Sequence, residues 1–379
     1  MTGAERIEAA FGPQGTTHTP VVVCYEGILV RDHWRQITDL PWWHHQSPDI
    51  DRQLAWLADY CRRVEQDWTS VSPFYSRPDR EALSVERRGD GVCLVDRRTG
   101  RATPIDQPQV GGWDRAAVCP DAEPPTGNDT PESIERAVPA PEPFDAAAFE
   151  ASGRGDLARA LLAGPAHGRL ALGGVGAPMW QCYSLWGFAG LMRRVAERPD
   201  LVRQACDRLL RVAGRRVQEA AAIGARAIWI EECFTDAISP AAFEAINLPV
   251  MRRLVKAVRA AGMKSIYYYT GNPWDRLDTI LAVGADALAV EETKKGFTID
   301  IAELARRAAG RCVLFGNLDA VGVLQHATDA ALRGEIARQL DAGQANGGRF
   351  VMSLGSPVTP DTPVERVARY CQFVRELCS

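Results

Sequence analysis

The chain has 379 residues, 46% of them hydrophobic, enough to bury a large core as one big barrel or as two ordinary domains. Its 44 basic and 48 acidic residues are well mixed and sum to a formal charge of -4, which offers no electrostatic footprint for nucleic acid or for an anionic membrane surface. No stretch approaches the roughly 20 apolar residues that a spanning helix needs, so the expected partner is a small molecule.

The N-terminal MTGAERIEAAFGPQG lacks a basic segment followed by an apolar run, and a cytoplasmic location is expected. The first predicted strand, PVVVCYEG (20–27), ends on Tyr25 and Glu26. Arg31, His33 and Arg35 follow, then Trp42, Trp43, His44 and His45. If that segment covers a pocket, its rings can wall it and a histidine can move protons near neutral pH; its ordinary alternative is an apolar latch. A second strand, DWTSVSPF (67–74), runs into Ser72 and Tyr75. The next ninety or so residues, roughly 75–167, break the rhythm. SVERRGDGVCLVDRRTGRATPID alternates around Gly-Asp-Gly and Thr-Gly turns and predicts a hairpin or small meander. CPDAEPPTGNDTPESIERAVPAPEPF carries seven prolines and predicts an extended surface connection, with a short helix near FDAAAFEASGRG.

From about residue 168, strand-like runs alternate with amphipathic helical stretches, the pattern of βα units. The strands are RLALGGV (169–175), ARAIWIEE (225–232), KSIYYYT (264–270), DALAVEE (286–292), RCVLFGN (311–317) and RFVMSLG (349–355). With the first two they make eight, which predicts an α/β fold of the (β/α)8 TIM-barrel type, one domain over 1–379 with the 75–167 excursion inserted. The ten cysteines (24, 61, 93, 119, 182, 206, 233, 312, 371 and 378) are scattered without a CxxC pair and read as reduced thiols.

In such a barrel the chemistry sits at the carboxyl ends of the strands. Here those ends carry Tyr25, Glu231 and Glu232, Tyr268, Thr270 and Asn272, Glu291 and Glu292 with Lys294 nearby, Asn317 and Asp319, and Ser353 with Ser356. Polar groups are costly to bury unpaired, so this concentration points to a shared pocket, although any one of them can instead cap a helix or form a turn. Neighbouring strand residues face opposite sides, so one glutamate of each pair is expected to be structural. The candidate catalytic residues are Tyr268, Glu232, Glu292 and His44. The candidate binding residues are Arg31, Tyr25, Trp180, Tyr183, Trp186, Lys294, Asn272, Asn317, Asp319 and Ser356, with Gly176-Ala177-Pro178 aiming the aromatic run.

The second half resembles the uroporphyrinogen decarboxylase superfamily. GGVGAPMW is similar to its strand ending in Gly-Pro before an aromatic helix, and LMRRVAERPDLVRQACDRL to the helix that follows. FGNLDAVGVL is similar to its Gly-Asn-Leu-Asp-Pro turn, and MSLGSPVTPDTPVERVARYCQFV to its closing strand, turn and helix. The resemblance is firm over 170–379 and implies a (β/α)8 barrel, often dimeric, with its pocket at the mouth. The decarboxylase proper has an Arg-rich Met-Arg-Gln-Ala-Gly-Arg loop and a histidine in its closing turn; this chain has VCYEGILVRDHW and Ser356, so a tetrapyrrole with eight carboxylates is not the expected substrate. The methyltransferase branch holds zinc through a His-x-Cys pair, a closing-turn cysteine and sometimes a glutamate. The corresponding positions are Tyr268, Thr270, Ser356 and Glu291 or Glu292, a poor ligand set, so no cofactor is expected; the alternative is an atypical zinc site of Glu231, Glu292 and a histidine, which no spacing supports.

Three readings follow. The first is a cofactor-independent lyase, a decarboxylase of a small aromatic or heteroaromatic carboxylate, with aromatic walls, Arg31 or Lys294 on the acid, and Tyr268 or a histidine returning a proton. The second is methyl transfer from a methoxy or methylamine compound to a separate corrinoid protein. The third is a binding barrel without catalysis.

Overall fold

A computed structural model describes residues 1–111, 129–294 and 296–378. Seven parallel strands form one curled sheet in the order β1 (Trp68–Ser70), β5 (Leu170–Gly176), β6 (Ala227–Glu232), β7 (Lys264–Tyr269), β8 (Ala287–Val290), β9 (Val313–Phe315) and β10 (Phe350–Val351). Helices alternate with them, as in the TIM-barrel class predicted. Two cores result from the period of two along each strand. Trp68, Leu172, Ala227, Ile266, Tyr268, Ala287 and Phe315 face inward into one cluster. Ile228, Ile230, Tyr267, Tyr269, Leu288 and Val290 face the helices in the other. Helix α1 (Gly3–Phe11) adds Ile7, Ala10 and Phe11 to the inner cluster and contacts β5 and β10.

The predicted first strand is present as a stave but not as a regular strand. Val22 N–H donates to Met352 O (2.9 Å), Met352 N–H to Pro20 O (2.8 Å) and Asp67 N–H to Val21 O (2.9 Å), so this segment joins β10 to β1. On the β1 side, side chains replace the ladder. Val21 N–H donates to Asp67 Oδ2 (2.8 Å) and Val23 N–H to Gln66 Oε1 (2.7 Å). Asp67 also accepts from Arg6 of α1 and, at 3.4 Å, from Arg375 near the C-terminus, which ties both ends of the chain to the seam.

The excursion forms the predicted meander: β2 (Leu83–Arg88), β3 (Gly91–Asp96) and β4 (Arg101–Ile105) pair antiparallel, with Gly89 at φ 59° in the two-residue turn. The Pro-rich connection differs from its expectation. Pro131–Ala137 is a helix, because Thr130 caps Ser133 N–H and Pro131 stands in the first turn, where its missing N–H costs nothing. Residues 112–128, which include the first part of that stretch and Cys119, lie outside the described residues. Ala146–Ser152 is the expected short helix, capped by Asp145.

Candidate active site

The inward parity of β6 decides which glutamate reaches the mouth. Trp229 and Glu231 point into the barrel; Glu232 points out between the sheet and the helices, which corrects its candidacy for the pocket. Glu232 is fully buried, accepts from Asn247 Nδ2 at 2.8 Å and from Tyr267 OH at 3.4 Å, and leaves Oε1 without a partner. Burial pushes its carboxyl up to about 8, against the pull of those two hydrogen bonds.

A cavity of about 380 Å³ opens at the carboxyl ends of the first staves, lined among others by Tyr25, Trp68, Gly173, Gly174, Trp229 and Glu231. Tyr25 and Glu231 carry its chemistry. The Tyr25 hydroxyl donates to Glu231 Oε1 at 2.9 Å, and Cys233 Sγ lies 3.8 Å from the same oxygen. Burial raises both groups: the Glu231 carboxyl goes up despite the hydrogen bonds from Tyr25 and Cys233, and the Tyr25 phenol is pushed well above its ordinary value. Tyr25 gets its aim from a left-handed backbone, φ 58° and ψ 49°, an arrangement that costs a side chain roughly 1–2 kcal/mol. Phe234, just past β6, is also left-handed at φ 66°. Strain of this kind gathers where geometry is needed for function.

The walls are aromatic. Trp229 stacks on Tyr268 (4.8 Å, 28°), and Tyr25 meets Tyr268 edge-on at 5.8 Å. Tyr268 is 2% exposed and donates its hydroxyl to Gly355 O at 2.9 Å, so it stands behind Tyr25 and Trp229 as a support. Gly174 leaves the floor open, since a Cβ there meets nothing nearer than Trp229 O at 3.9 Å.

Behind Tyr268, Lys294, Glu291, Glu292 and Ser356 form one ionic cluster. Lys294 Nζ lies 3.0 Å from Glu291, 3.5 Å from Glu292 and 2.5 Å from Ser356 Oγ, whose own proton goes to the Glu292 carboxylate at 2.6 Å. Here both glutamates of the pair converge, because β8 ends at Val290 and the chain then turns. Glu291 also accepts Gly271 N–H at 2.9 Å. Gly355 passes so close to Glu292 that a Cβ would lie 2.3 Å from its backbone nitrogen.

The zinc ligation that the resemblance implies for one branch does not fit these residues. Tyr268 and Ser356 spend their hydroxyls on a carbonyl and a carboxylate, and the Lys294 ammonium lies within 3.5 Å of both glutamates. Among the described residues no group of three or more His, Cys, Asp or Glu is placed to hold a metal ion.

Several other candidates stand outside the mouth. Arg31 forks onto Asp32 at 2.7 and 3.0 Å, and Asp32 holds Gly111 N–H. Trp186 is fully buried in the outer core under Arg194. Asp319 caps the turn at Val321 and Gly322, Asn272 caps Trp274 N–H, and Asn317 fixes the carbonyls of Glu291 and Ile299 at 3.1 and 3.0 Å. These three polar residues build turns. His44 Nδ1 is buried without a partner, while His45 packs on Trp34 and Trp56 beside a separate cavity. Tyr183 stacks on Phe234 and Trp180 packs over Gly176, neither lining the mouth. Lys295 lies outside the described residues. Sequence reasoning missed Trp229 and the Gly173-Gly174 floor. The signal was there in the parity that links Ala227, Trp229 and Glu231, and in two glycines interrupting an otherwise apolar strand.

Residues 159–377 match the protein family described as uroporphyrinogen decarboxylase (URO-D). A uroporphyrinogen decarboxylase of Xanthomonas euvesicatoria pv. vesicatoria (strain 85-10) is 32% identical over 164 residues, 41% of this chain and 44% of that protein. The chain thus spans less than half of that relative. The enzyme of the same name from Pseudomonas putida (strain GB-1) is 27% identical over 65% of this chain and 69% of its own length. Among solved structures, a methyltransferase from Methanosarcina mazei superposes over 100% of both chains with a TM-score of 0.64 at 16% identity, a likeness of fold. No helix among the described residues is long and apolar enough to cross a membrane.

Proposed function

The chain belongs to the uroporphyrinogen decarboxylase family, and on that premise we propose that it is a metal-independent decarboxylase of a small aromatic or heteroaromatic carboxylate. The supporting observation is the Tyr25–Glu231 hydrogen bond on the wall of the mouth cavity, 2.9 Å long and partly shut off from water. A flat ring lies on the open floor at Gly174, against Trp229. Glu231, raised by burial, presents a proton toward it, and the Tyr25 hydroxyl fixes which oxygen carries that proton. The bond between the ring and its carboxylate breaks, CO2 leaves, and the electron pair stays on the ring carbon. Glu231 then delivers its proton to that carbon and takes another from water.

The lack of a free cation favours this order of events. No cation is free for it among the described groups of the mouth, and Lys294 is already held by two glutamates, so a substrate carboxylate gains little there and loses charge when CO2 departs. The same balance argues against a tetrapyrrole with many carboxylates. Methyl transfer to a corrinoid partner is the competing reading; its usual metal shell is what these residues do not fit.

The test uses a panel of benzoates and heteroaryl carboxylates in D2O. A substrate should release CO2 and carry deuterium at the former carboxyl carbon. Glu231→Gln should lower the rate at least about 100-fold, the lower bound for loss of a general acid. Methyl transfer by the wild type, or decarboxylation untouched by Glu231→Gln, would overturn the proposal.

A further inference from the structure

A second cavity, of about 340 Å³, lies outside the barrel wall and shares Glu26, Gly27, Ser70, Val71 and Ser72 with the mouth. The two therefore border one another along these five residues. Its far walls are apolar: Val30 from helix α2 (Glu26–Ile37), Trp56 and Leu57 from helix α3 (Ile50–Arg63), and Leu157, Ala158 and Leu161 from the helix Asp156–Ala163. His45 completes the rim, its ring 5.2 Å from Trp56 and 6.1 Å from Trp34. Burial holds that imidazole below its ordinary value, which favours the neutral ring.

Among the described residues no lysine or arginine lines this chamber. The carboxyl group that lines it among the described residues, Glu26, stands at its edge, taking Ser70 N–H on one oxygen at 2.7 Å and Gln66 Nε2 on the other. A carboxyl group has lone-pair positions beyond the two used here, so Glu26 can accept one more donor from a ligand, although burial raises its own carboxyl. We propose that this chamber is a second subsite which binds an uncharged aromatic group bearing an N–H or O–H donor, the part of the substrate remote from the reacting carboxylate. The role as a subsite rests on the decarboxylase reading; the chamber's chemical preference does not. The substrate is then a two-part molecule that passes Glu26, with its neutral ring among Trp56, Leu57 and Ala158 and its reacting end at Glu231. It also gives the Trp-Trp-His-His segment a use, through His45 rather than His44.

Indole, a neutral ring with one N–H, is the probe. Titrated into the full chain by calorimetry, it should bind saturably at one site, and benzoate should compete at least tenfold more weakly. Ala158→Phe and Leu57→Trp fill the chamber from two helices, and each should weaken indole at least tenfold. Leu57 is only half-buried, so its variant keeps the test alive if Ala158→Phe fails to fold. Gly174→Val blocks the mouth instead and should still bind indole. Absence of indole binding to the wild type, its survival in both folded chamber variants, or its loss in Gly174→Val would each overturn the proposal. Indole binding that behaves as expected while Glu231→Gln leaves turnover intact would uphold the chamber and remove the decarboxylase reading alone.

Discussion

Two adjacent glutamates, Glu231 and Glu232, are both raised by burial, but they meet different surroundings. Glu232 is fully buried between the sheet and the helices, away from the mouth cavity, so its cost falls on stability. Its folded-state value of about 8 lies above the ordinary 4.5, which means the unfolded chain releases this proton first as pH rises. The folded state is therefore favoured most below pH 4.5 and loses that advantage steadily up to about pH 8, at about 1.4 kcal/mol per unit of pKa difference before any relaxation. Glu232→Gln, neutral at every pH, should remove this slope: urea midpoints of wild type and variant should diverge between pH 5 and 8, with the variant gaining on the wild type. Parallel curves would show that Glu232 is ionised when folded. At Glu231 the Tyr25 bond pulls the carboxyl down against burial, so Tyr25→Phe should raise Glu231 further, moving the alkaline limb of any pH-rate profile, where the proton donor is lost, to higher pH while slowing turnover.

Strand β5 supplies the floor and the closing turn after β10 supplies the back of the site. Gly174 has room for a side chain and no left-handed backbone, so Gly174→Val should keep stability within about 1 kcal/mol, valine being the better strand residue, and abolish turnover by occupying the mouth. Gly355 has no such room. Gly355→Ala should displace Glu292 and cost stability, because the methyl would meet backbone rather than a flexible side-chain tip. These elements were legible in the sequence to different degrees. Every strand core from 169 onward was visible from β-rich runs between helical stretches, and β6 and β7 match their predicted spans within two residues. Register was harder: counting back from Trp229 puts Glu231 inside, but only if a tryptophan is taken as filling the barrel. At β8 the strand stops before its glutamates, so parity fails and both Glu291 and Glu292 reach Lys294.

For the whole molecule, closure of the ring is what brings Tyr25 from the first stave to Glu231 of β6. That closure depends on Asp67, which is 1% exposed and replaces a strand ladder with its carboxylate. Asp67→Ala would leave Val21 N–H unsatisfied in the core and strip a partner from Arg6 and Arg375. An unfolding free energy lower by roughly 2–3 kcal/mol is expected, read by denaturant titration. No sequence pattern could have shown this, since the contact spans 46 residues and uses a side chain in place of backbone. Likewise the candidates Arg31, Trp186 and Asp319 were chosen by residue type and lost to local geometry: an adjacent Asp32, an inward turn of the helix into the core, and a cap. The central claim is that Glu231, across the cavity from solvent and held by Tyr25, keeps a proton for delivery to substrate. It is tested most directly by following the Glu231 carboxyl carbon through a pH titration by NMR, with Glu231→Gln identifying the signal. A midpoint above the ordinary 4.5 that rises again in Tyr25→Phe is the predicted result; a midpoint at or below 4.5 would contradict the account.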